Sequence, residues 1–372
     1  MPRLPAALAL TMLFAGLTGP PAATADPGLD YLGQARLAQP ATLDGTVIGG
    51  LSAISYDPGR DHYYLLSDDR SGHARFYTAR ITVSGSTVDV EMIGTRPLLD
   101  ADGRPFAPRS AGRAAPDPEG IAYDPDRQRL YWSSEGERIT DGPGGPVLAD
   151  PWVRIAALDG SYLGEFALPA NLAMSAQATG PRRNKTLEGL TLAPGGRLLF
   201  AAMEGPRYDD GDPPDRDHGA LVRVVAFDVE RRAATAQYAY PLDPAPPYAG
   251  PEETNGLTDL VALSQTQFLV VERAFSAATL AHQRVRVYRA EIGSATDITG
   301  TDLAGAGLTP MSKTLLADLD EVPGPVDNIE GITLGPRLPG GRQAVLLVSD
   351  DNFAPGQITQ VLALATHPEA YS

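Results

Sequence analysis

The chain has 372 residues, of which 30 are basic and 46 acidic, and its formal net charge is −16. A field of this sign repels nucleic acid and anionic membrane surfaces, so neither is an expected partner. The chain has no cysteine and only five histidines, which excludes disulfides and gives a zinc site little support.

The N-terminus has the pattern of a secretory signal. Arg3 precedes an apolar stretch from Leu4 to Leu17, and the small residues Ala23-Thr24-Ala25 follow. A charged head, a short apolar core and an A-x-A site predict cleavage near Ala25 and a periplasmic or secreted protein. The alternative is a retained membrane anchor. We expect residues 1–25 to be the signal and 26–372 to form one domain, monomeric and not inserted in a membrane.

A hairpin pattern recurs five times along the chain. Each copy is a short alternating strand, a turn with Pro, Gly or Asp, and a second apolar strand. The intervals between copies are 67, 69, 70 and 72 residues, and strand-like segments follow each hairpin. The copies begin at Ser52, Glu119, Glu188, Thr258 and Glu330. Four strands per unit, with no helical periodicity between them, predict an all-β propeller of five blades.

The ends of the chain predict how the ring closes. The last copy has only one further strand, 357–365, before the chain stops, whereas residues 29–38 form an unassigned strand near the N-terminus. Pairing the first strand with the last blade would remove two exposed edges. A sixth blade hidden in a divergent segment such as 100–116 is the alternative.

Acidic residues occupy matching places in the five hairpins. The start of the first strand and the end of the second lie at one end of the propeller axis, and we call these the entry and exit positions. The entry positions are Ser52, Glu119, Glu188, Thr258 and Glu330, and the predicted exit positions are Asp68, Glu135, Glu204, Glu272 and Asp350. The sequence therefore predicts an acid-lined mouth of the central channel.

Crowded carboxylates raise one another's pKa and need compensation. Arginines follow several exit positions, and Arg183 and Lys185 precede Glu188. A hard divalent ion is the other compensation, because Ca²⁺ prefers clustered carboxylate oxygens. The alternative is that the acids and arginines form salt bridges between blades and hold no ligand.

Four segments carry a family resemblance. They are "DPEGIAYD" (117–124), "NKTLEGLTL" (184–192), "LTDLVAL" leading into "FLVVERAF" (257–275) and "NIEGITL" followed by "LLVSDDNF" (328–353). As a set they resemble the phytase-like family, also described as esterase-like activity of phytase. The resemblance runs from about Gly49 to Ala365 and implies a β-propeller hydrolase acting on phosphate or carboxylic esters. It implies no particular catalytic residue.

The leading functional hypothesis is a calcium-assisted phosphoesterase at the acidic mouth, acting on a small anionic or ester substrate. Glu119 or Glu188 is expected to act as general base. The expected calcium ligands are Asp68, Glu135, Glu204, Glu272, Glu330 and Asp350, and the expected phosphate-binding residues are Arg70, Arg138, Arg183, Arg207 and Arg273.

Two functional alternatives remain open, and a third mechanism is disfavoured. The same mouth could open a lactone or carboxylic ester with a metal ion, or the propeller could bind a ligand without catalysis. A serine mechanism through Ser52 and His62 or His73 is disfavoured, because the G-x-S-x-G context is missing. Two loops are further candidates: 208–219, as a solvated acidic loop, metal site or lid, and 100–116, whose Arg109 and Arg113 could bind an anion.

Overall fold

The computed structural model describes residues 28–71, 73–108, 115–142, 144–246, 254–275 and 283–366. The predicted signal (residues 1–25) and Arg109 and Arg113 lie outside these residues. The described chain is all-β apart from short 3₁₀ turns at Ala170–Leu172, Tyr208–Asp210 and Leu319–Glu321. No helix in this part of the chain is long and apolar enough to cross a membrane.

The strands follow the chain as a series of antiparallel sheets. β1 (Leu29–Arg36) comes first, and then the short pair β2 (Thr42–Leu43) and β3 (Thr46–Val47). Blade 1 consists of β4 (Leu51–Asp57), β5 (His62–Ser67), β6 (Arg75–Ser84) and β7 (Thr87–Pro97). Blade 2 consists of β8 (Pro118–Asp124), β9 (Arg129–Ser134), β12 (Trp152–Ala157) and β13 (Tyr162–Glu165), with the hairpin β10 (Glu137–Ile139) and β11 (Val147–Ala149) inserted.

The remaining three blades repeat the same order. Blade 3 consists of β14 (Leu187–Leu192), β15 (Leu198–Met203), β16 (Ala220–Asp228) and β17 (Ala233–Leu242). Blade 4 consists of β18 (Thr254–Ala262), β19 (Gln267–Phe275), β20 (Arg284–Glu291) and β21 (Ser312–Asp318). Blade 5 consists of β22 (Ile329–Arg337), β23 (Gln343–Ser349) and β24 (Gln360–Thr366), and β1 is its outer strand.

The ring closes with five blades, as predicted. β1 pairs antiparallel with β24 from Leu29 opposite Thr366 to Arg36 opposite Gln360. The inner strands contact one another in the order β4, β8, β14, β18, β22 and back to β4. This closed circle of inner strands leaves no place for a sixth blade, and the alternative based on 100–116 is wrong.

The apolar core lies between neighbouring blades. Side chains from facing sheets pack together, so each interface has its own cluster of buried residues. Between blades 1 and 2, for example, Trp132 packs with Leu66 and Ile121, and none of these three side chains is accessible. Burying apolar area on both faces of every sheet holds the inner strands rigidly around the axis. That rigidity positions the residues at the mouth.

Candidate functional site

Every inner strand breaks its pairing register at the entry position. The shifts fall between Leu51 and Ala53, Pro118 and Ile121, Leu187 and Leu190, Leu257 and Asp259, and Ile329 and Gly331. A bulge bends the strand and redirects the side chain of the extra residue. The repeated bulge therefore explains why a strand that packs against its neighbours on both faces can also carry a glutamate at its mouth.

The glycine that follows each of the three entry glutamates has a packing role. A Cβ on Gly120 would lie 2.6 Å from the carbonyl oxygen of Glu188, and one on Gly189 would lie 2.9 Å from the Cα of Asp259. A Cβ on Gly331 would lie 3.0 Å from the Cα of Ala53. Each glycine lets the backbone of the next blade approach. The Glu-Gly pair is thus one unit, in which Glu occupies the entry position and Gly contacts the next inner strand.

The two hydroxyl entry positions link blades. Ser52 Oγ donates to the carbonyl oxygen of Pro118 at 3.0 Å, and Thr258 Oγ1 donates to the carbonyl oxygen of Ile329 at 3.2 Å. Each hydroxyl is therefore committed to the backbone of the next blade. His62 pairs with Asp57 at the far end of β4, and His73 contacts Ser71 Oγ, so neither imidazole partners Ser52. This geometry gives a serine mechanism no support.

Five carboxylates, of which four are buried and Asp68 is partly buried, converge on the side of the mouth formed by blades 1 to 3, and we call them the acid cluster. Oxygen atoms of Asp68, Asp117 and Glu119 all lie within 4.8 Å of one another, and so do oxygen atoms of Glu119, Glu135 and Glu188. Glu119 belongs to both groups of three. Burial raises the pKa of Glu119 and of Glu188 well above the usual range, and their acidic neighbours raise it further.

Glu135 has one satisfied and one unsatisfied oxygen. Oε1 accepts a hydrogen bond from the backbone N–H of Thr186 at 2.6 Å, whereas Oε2 is buried without a hydrogen-bond partner. Burial and the charge of Glu204 raise the pKa of Glu135 to about 7. A buried acceptor without a donor is costly, and a cation would satisfy it.

Arg70 neutralises one end of the acid cluster. Its Nε lies 3.3 Å from Asp68 Oδ1 and forms an ion pair with Asp117, and its Nη2 lies 3.8 Å from Glu119 Oε1. Nη2 also donates to Asn184 Oδ1 at 3.2 Å. Even so, burial raises the pKa of Asp68, and burial together with Asp68 raises that of Asp117 well above its usual range. One guanidinium does not compensate this many carboxylates.

The acid cluster fits a hard divalent cation. Its donors are all carboxylate oxygens, the ligand type that Ca²⁺ prefers at roughly 2.3–2.6 Å. Two oxygens bound to one ion can therefore be up to about 5 Å apart, and the observed groups lie within 4.8 Å. The residues that could hold an ion are thus Asp68, Asp117, Glu119, Glu135 and Glu188.

Blades 3 to 5 form the opposite side of the mouth, where acids and cations balance; we call it the balanced side. Arg273 Nη2 lies 3.3 Å from Glu204 Oε1 and 3.4 Å from Glu330 Oε1. Lys185 Nζ donates to Glu204 Oε2 at 2.7 Å. Asn328 Nδ2 donates to Glu330 Oε1 at 2.8 Å. Glu204 and Glu330 are therefore paired, in contrast to Glu135 and Glu188.

Asp350 occupies the exit position of blade 5, as expected. It is buried, and its Oδ1 accepts a hydrogen bond from the backbone N–H of Asn352 at 2.7 Å. Burial and the charges of Glu330 and Asp68 raise its pKa well above the usual range. Asp350 thus lies between the acid cluster and the balanced side.

The prediction that Glu272 holds the exit position of blade 4 is wrong by one residue. In β18 and β19, Leu257 pairs with Glu272, just as Leu187 pairs with Met203 in blade 3, so Arg273 holds the exit position. Glu272 accepts hydrogen bonds from Tyr240 Oη at 2.8 Å and Asn255 Nδ2 at 2.7 Å, and it also contacts Lys313. The hairpin of blade 4 is one residue shorter than those of blades 1 to 3, which misled the alignment.

Three of the five arginines predicted to bind phosphate are committed elsewhere. Arg207 forms a buried double hydrogen bond with Asp210 at 2.9 Å. Arg138 donates to the carbonyl oxygens of Ser175 and Gln177, at 2.8 and 2.9 Å. Arg183 is half-exposed and pairs with Glu137 at 2.9 Å. The structure brings only Arg70 and Arg273 of this set to the carboxylates of the mouth.

Asp117 was missed as a site residue, although its sequence carried a signal. It lies two residues before Glu119, and Asn328 lies two residues before Glu330. The structure places both beside the acids of the mouth. A pattern of entry and exit positions alone leaves out this third position of the repeat.

The loop at 208–219 is held in place by the ion pairs and hydrogen bonds of its aspartates. Asp210 is buried and accepts from Arg207 and also from Arg223, whose Nη2 lies 2.6 Å away. Asp209 accepts from the backbone N–H of Gly180 at 2.6 Å, and Asp215 accepts from that of His218 at 2.7 Å. These aspartates therefore build the loop, and the geometry does not support a metal site there.

A cavity of about 660 Å³ opens beside the balanced side. This size lies within the roughly 300–1,000 Å³ typical of small-molecule sites. The described lining residues are Asn184, Lys185, Glu204, Thr254, Arg273, Gln283, Asn328, Glu330, Asn352, Ala354, Pro355, Gly356 and Gln357. Glu204 and Glu330 also raise the pKa of Glu188, so this cavity adjoins the acid cluster.

One known protein family matches most of this chain. A family model for phytase-like proteins, described as esterase-like activity of phytase, matches residues 46–353. The chain belongs to the phytase-like family. The match covers all five inner hairpins and includes the acid cluster and nine of the thirteen described residues that line the cavity. No curated protein matches the chain.

The solved structures that match this chain have little sequence identity with it. A periplasmic gluconolactonase from Pseudomonas aeruginosa is 15% identical, with 93% of each chain covered and a TM-score of 0.36. An endo-arabinanase from Bacillus licheniformis is 14% identical over 87% of this chain and 96% of that chain, with a TM-score of 0.40. A putative 6-phosphogluconolactonase from Bacteroides uniformis is 12% identical over 92% and 96%, with a TM-score of 0.35. Similarity this low says nothing about the activity of the phytase-like chain.

Proposed function

We propose that this phytase-like protein is an exported hydrolase of ester bonds that depends on a divalent cation, with Ca²⁺ the favoured ion and a phosphoric ester the favoured substrate. The observation that carries the proposal is the pair of carboxylate groups that share Glu119, together with the unpartnered Oε2 of Glu135. A bound divalent cation supplies positive charge to the reacting ester oxygens and polarises water.

The residues of the mouth divide into two roles under this proposal. Glu119 belongs to both carboxylate groups and is therefore the central ligand. Glu188 belongs to one group only, and the charges that act on it come both from Glu135 and from Arg273 on the balanced side. Because Glu188 lies between the ligands and the cavity, it is the general base. Burial raises the pKa of Glu188, which makes its carboxylate a stronger base than that of an exposed glutamate.

The cations limit the kind of ester that can bind. Of the predicted phosphate-binding arginines only Arg70 and Arg273 reach the mouth, with Lys185 beside them, and each of these cations is already paired with an acid. A phosphate group at this mouth would approach carboxylates unless a bound cation reversed the local charge. The proposal of a phosphoric ester therefore requires the metal and predicts no activity without it.

A second candidate is the opening of a lactone or carboxylic ester at the same cation. The observation favouring it is that Arg70, Arg273 and Lys185 are all paired with acids already. An uncharged ester does not need an additional free cation. The class of substrate that is turned over decides between these two proposed activities.

The test combines calcium titration with turnover. Calorimetry of wild type is compared with Asp117→Asn, which disrupts one carboxylate group, Glu135→Gln, which disrupts the other, and Glu119→Gln, which disrupts both. Glu230→Gln is the matched control, because Glu230 is an exposed acid at the far end of blade 3. We expect weakened binding in the first two variants, loss of binding in the third and no change in the control.

Turnover is then measured with 4-nitrophenyl phosphate, 4-nitrophenyl acetate and a six-membered lactone, with calcium and with a chelator. Calcium-dependent phosphate release supports the phosphoesterase. Turnover of only the acetate or the lactone supports the second candidate. Calcium binding without any turnover would support a propeller that binds a ligand without catalysis. Absence of calcium binding would overturn the metal assignment.

A further inference from the structure

The cavity beside the balanced side has an unusual wall. Its lining includes five carboxamide side chains and one hydroxyl: Asn184, Gln283, Asn328, Asn352, Gln357 and Thr254. Among the lining residues that the structure describes, only Ala354, Pro355 and Gly356 have no polar side chain. A site for a fatty acyl group or an aromatic ring is lined mainly by apolar side chains. This wall instead suits a ligand covered with hydrogen-bonding groups.

The charges of the wall cancel. Glu204 pairs with Lys185 and Arg273, and Glu330 pairs with Arg273 and accepts from Asn328. Two acids and two cations thus form one connected network. Binding a polyanion would require this network to break, and so would binding a polycation. An uncharged ligand can bind while every ion pair remains intact.

Two buried polar atoms of the wall lack a hydrogen-bond partner; one is an acceptor and the other is a donor. Asn328 Oδ1 is an acceptor without a donor, while its Nδ2 is fixed by Glu330. Arg273 Nε is a donor without an acceptor. A phosphate oxygen can satisfy only the donor, and an ammonium group only the acceptor. A hydroxyl group both donates and accepts, so hydroxyl groups can satisfy both atoms after small side-chain adjustments.

Two of the amides are held by the backbone. Asn184 has a φ of 53° and Asn352 a φ of 47°, a left-handed conformation that Asn tolerates better than most residues. Asn352 follows Asp351, which fixes the loop by accepting from the backbone N–H groups of Gly50 at 2.8 Å and Phe353 at 3.1 Å. The chain therefore presents these amides from turns on two different blades.

We propose that this cavity is a subsite for an uncharged polyhydroxylated group, of the sugar or sugar-alcohol class. The inference rests on the proposed function and deepens it: the ester reacts at the acid cluster, and its hydroxyl-rich portion occupies the cavity. Esters of long-chain acids and compact polyanions are correspondingly poor substrates. The cavity gives the enzyme its preference for hydrophilic esters.

The test measures binding without turnover. Calcium-loaded protein is titrated with sorbitol, with glucose, with 1,6-hexanediol and with inorganic phosphate. The double variant Asn184→Gly/Asn352→Gly removes two wall amides and keeps a residue that accepts positive φ. The matched control is Gln128→Gly, since Gln128 also has a positive φ, of 52°, and lies in the turn at the far end of blade 2.

We expect sorbitol or glucose to bind wild type and the control equally, and the double variant about tenfold more weakly, the effect of losing two hydrogen bonds. Hexanediol should not bind. Absence of polyol binding, equal binding of hexanediol, or phosphate binding in the cavity in place of polyol would overturn the inference. Because no hydrolysis is measured, a failure of the proposed reaction remains distinguishable from a failure of this subsite.

Discussion

The two sides of the mouth are built from the same repeat positions and differ in one property, the supply of cations. Glu135 and Glu204 both occupy exit positions, and both are buried. Glu204 contacts Lys185 and Arg273, whereas Glu135 Oε2 contacts no donor. The difference arises because blade 4 places Arg273 where the other blades place an acid. Arg273, together with Lys185, thus separates a charge-balanced cavity wall from a candidate metal centre.

The strongest test of this contrast is the removal of Arg273. Arg273→Met keeps a long side chain but leaves Glu204 and Glu330 without their shared cation. Loss of one partner of a buried ion pair typically costs about 3–5 kcal/mol of stability. We expect a large fall in the melting temperature and in the denaturant midpoint of the variant. Calcium should restore part of the loss, because the freed carboxylates then resemble the acid cluster.

Arg273→Lys is the control for this change. It keeps the charge while losing the guanidinium geometry, so its loss of stability should be smaller than that of Arg273→Met. A methionine variant as stable as wild type in the presence of a chelator would show that the two sides of the mouth do not differ in the way described.

The pH dependence of stability probes the acid cluster. The pKa of Glu135 is raised from its usual value of 4.5 to about 7 by burial and by Glu204. Between these values the folded state holds a proton that the unfolded state has lost, so stability falls as pH rises through this window. Without calcium, the melting temperature should therefore decrease from about pH 4.5 to 7. The rise expected from Asp57 and Asp210, whose pKa values are lowered, is confined to lower pH.

Calcium should reduce this decrease, because the ion binds the ionised carboxylates and displaces their protons. Thermal melts in a chelator and in calcium, at several pH values, measure both effects. Glu135→Gln should flatten part of the slope in the chelator. A melting temperature that instead rises from pH 4.5 to 7 in the absence of metal would contradict the raised pKa values of the acid cluster.

The sequence predicted the architecture well because a propeller repeats. Spacing alone located the five hairpins, and the unpaired strand near Leu29 predicted the closure that β1 and β24 form. The entry glutamates were also placed correctly, since Glu119, Glu188 and Glu330 all lie at the mouth. Repetition supplies five observations of the same geometry, and that compensates for weak local signals.

Side-chain partners were harder to predict than positions. Arg207 and Arg138 follow exit positions in the sequence, yet each turns away to bond Asp210 or backbone carbonyl oxygens. The sequence contains no information on that choice, because the competing acceptors come from distant loops. Glu272 was misplaced for a simpler reason: a hairpin shortened by one residue shifts every later position to the other face of the strand.

The smallest expected effect concerns the hydroxyl entry positions. Substituting them tests whether they have a structural or a catalytic role. Ser52→Ala removes one hydrogen bond, from Oγ to the carbonyl oxygen of Pro118, and should cost about 1 kcal/mol of stability. Calcium affinity and turnover should remain at wild-type levels, because Ser52 contacts neither the acid cluster nor the cavity. Thermal melts and calorimetry measure both outcomes, with Thr258→Val as the equivalent change in blade 4. Loss of hydrolysis in a folded, calcium-binding Ser52→Ala protein would restore the serine mechanism and assign the acid cluster a purely structural role.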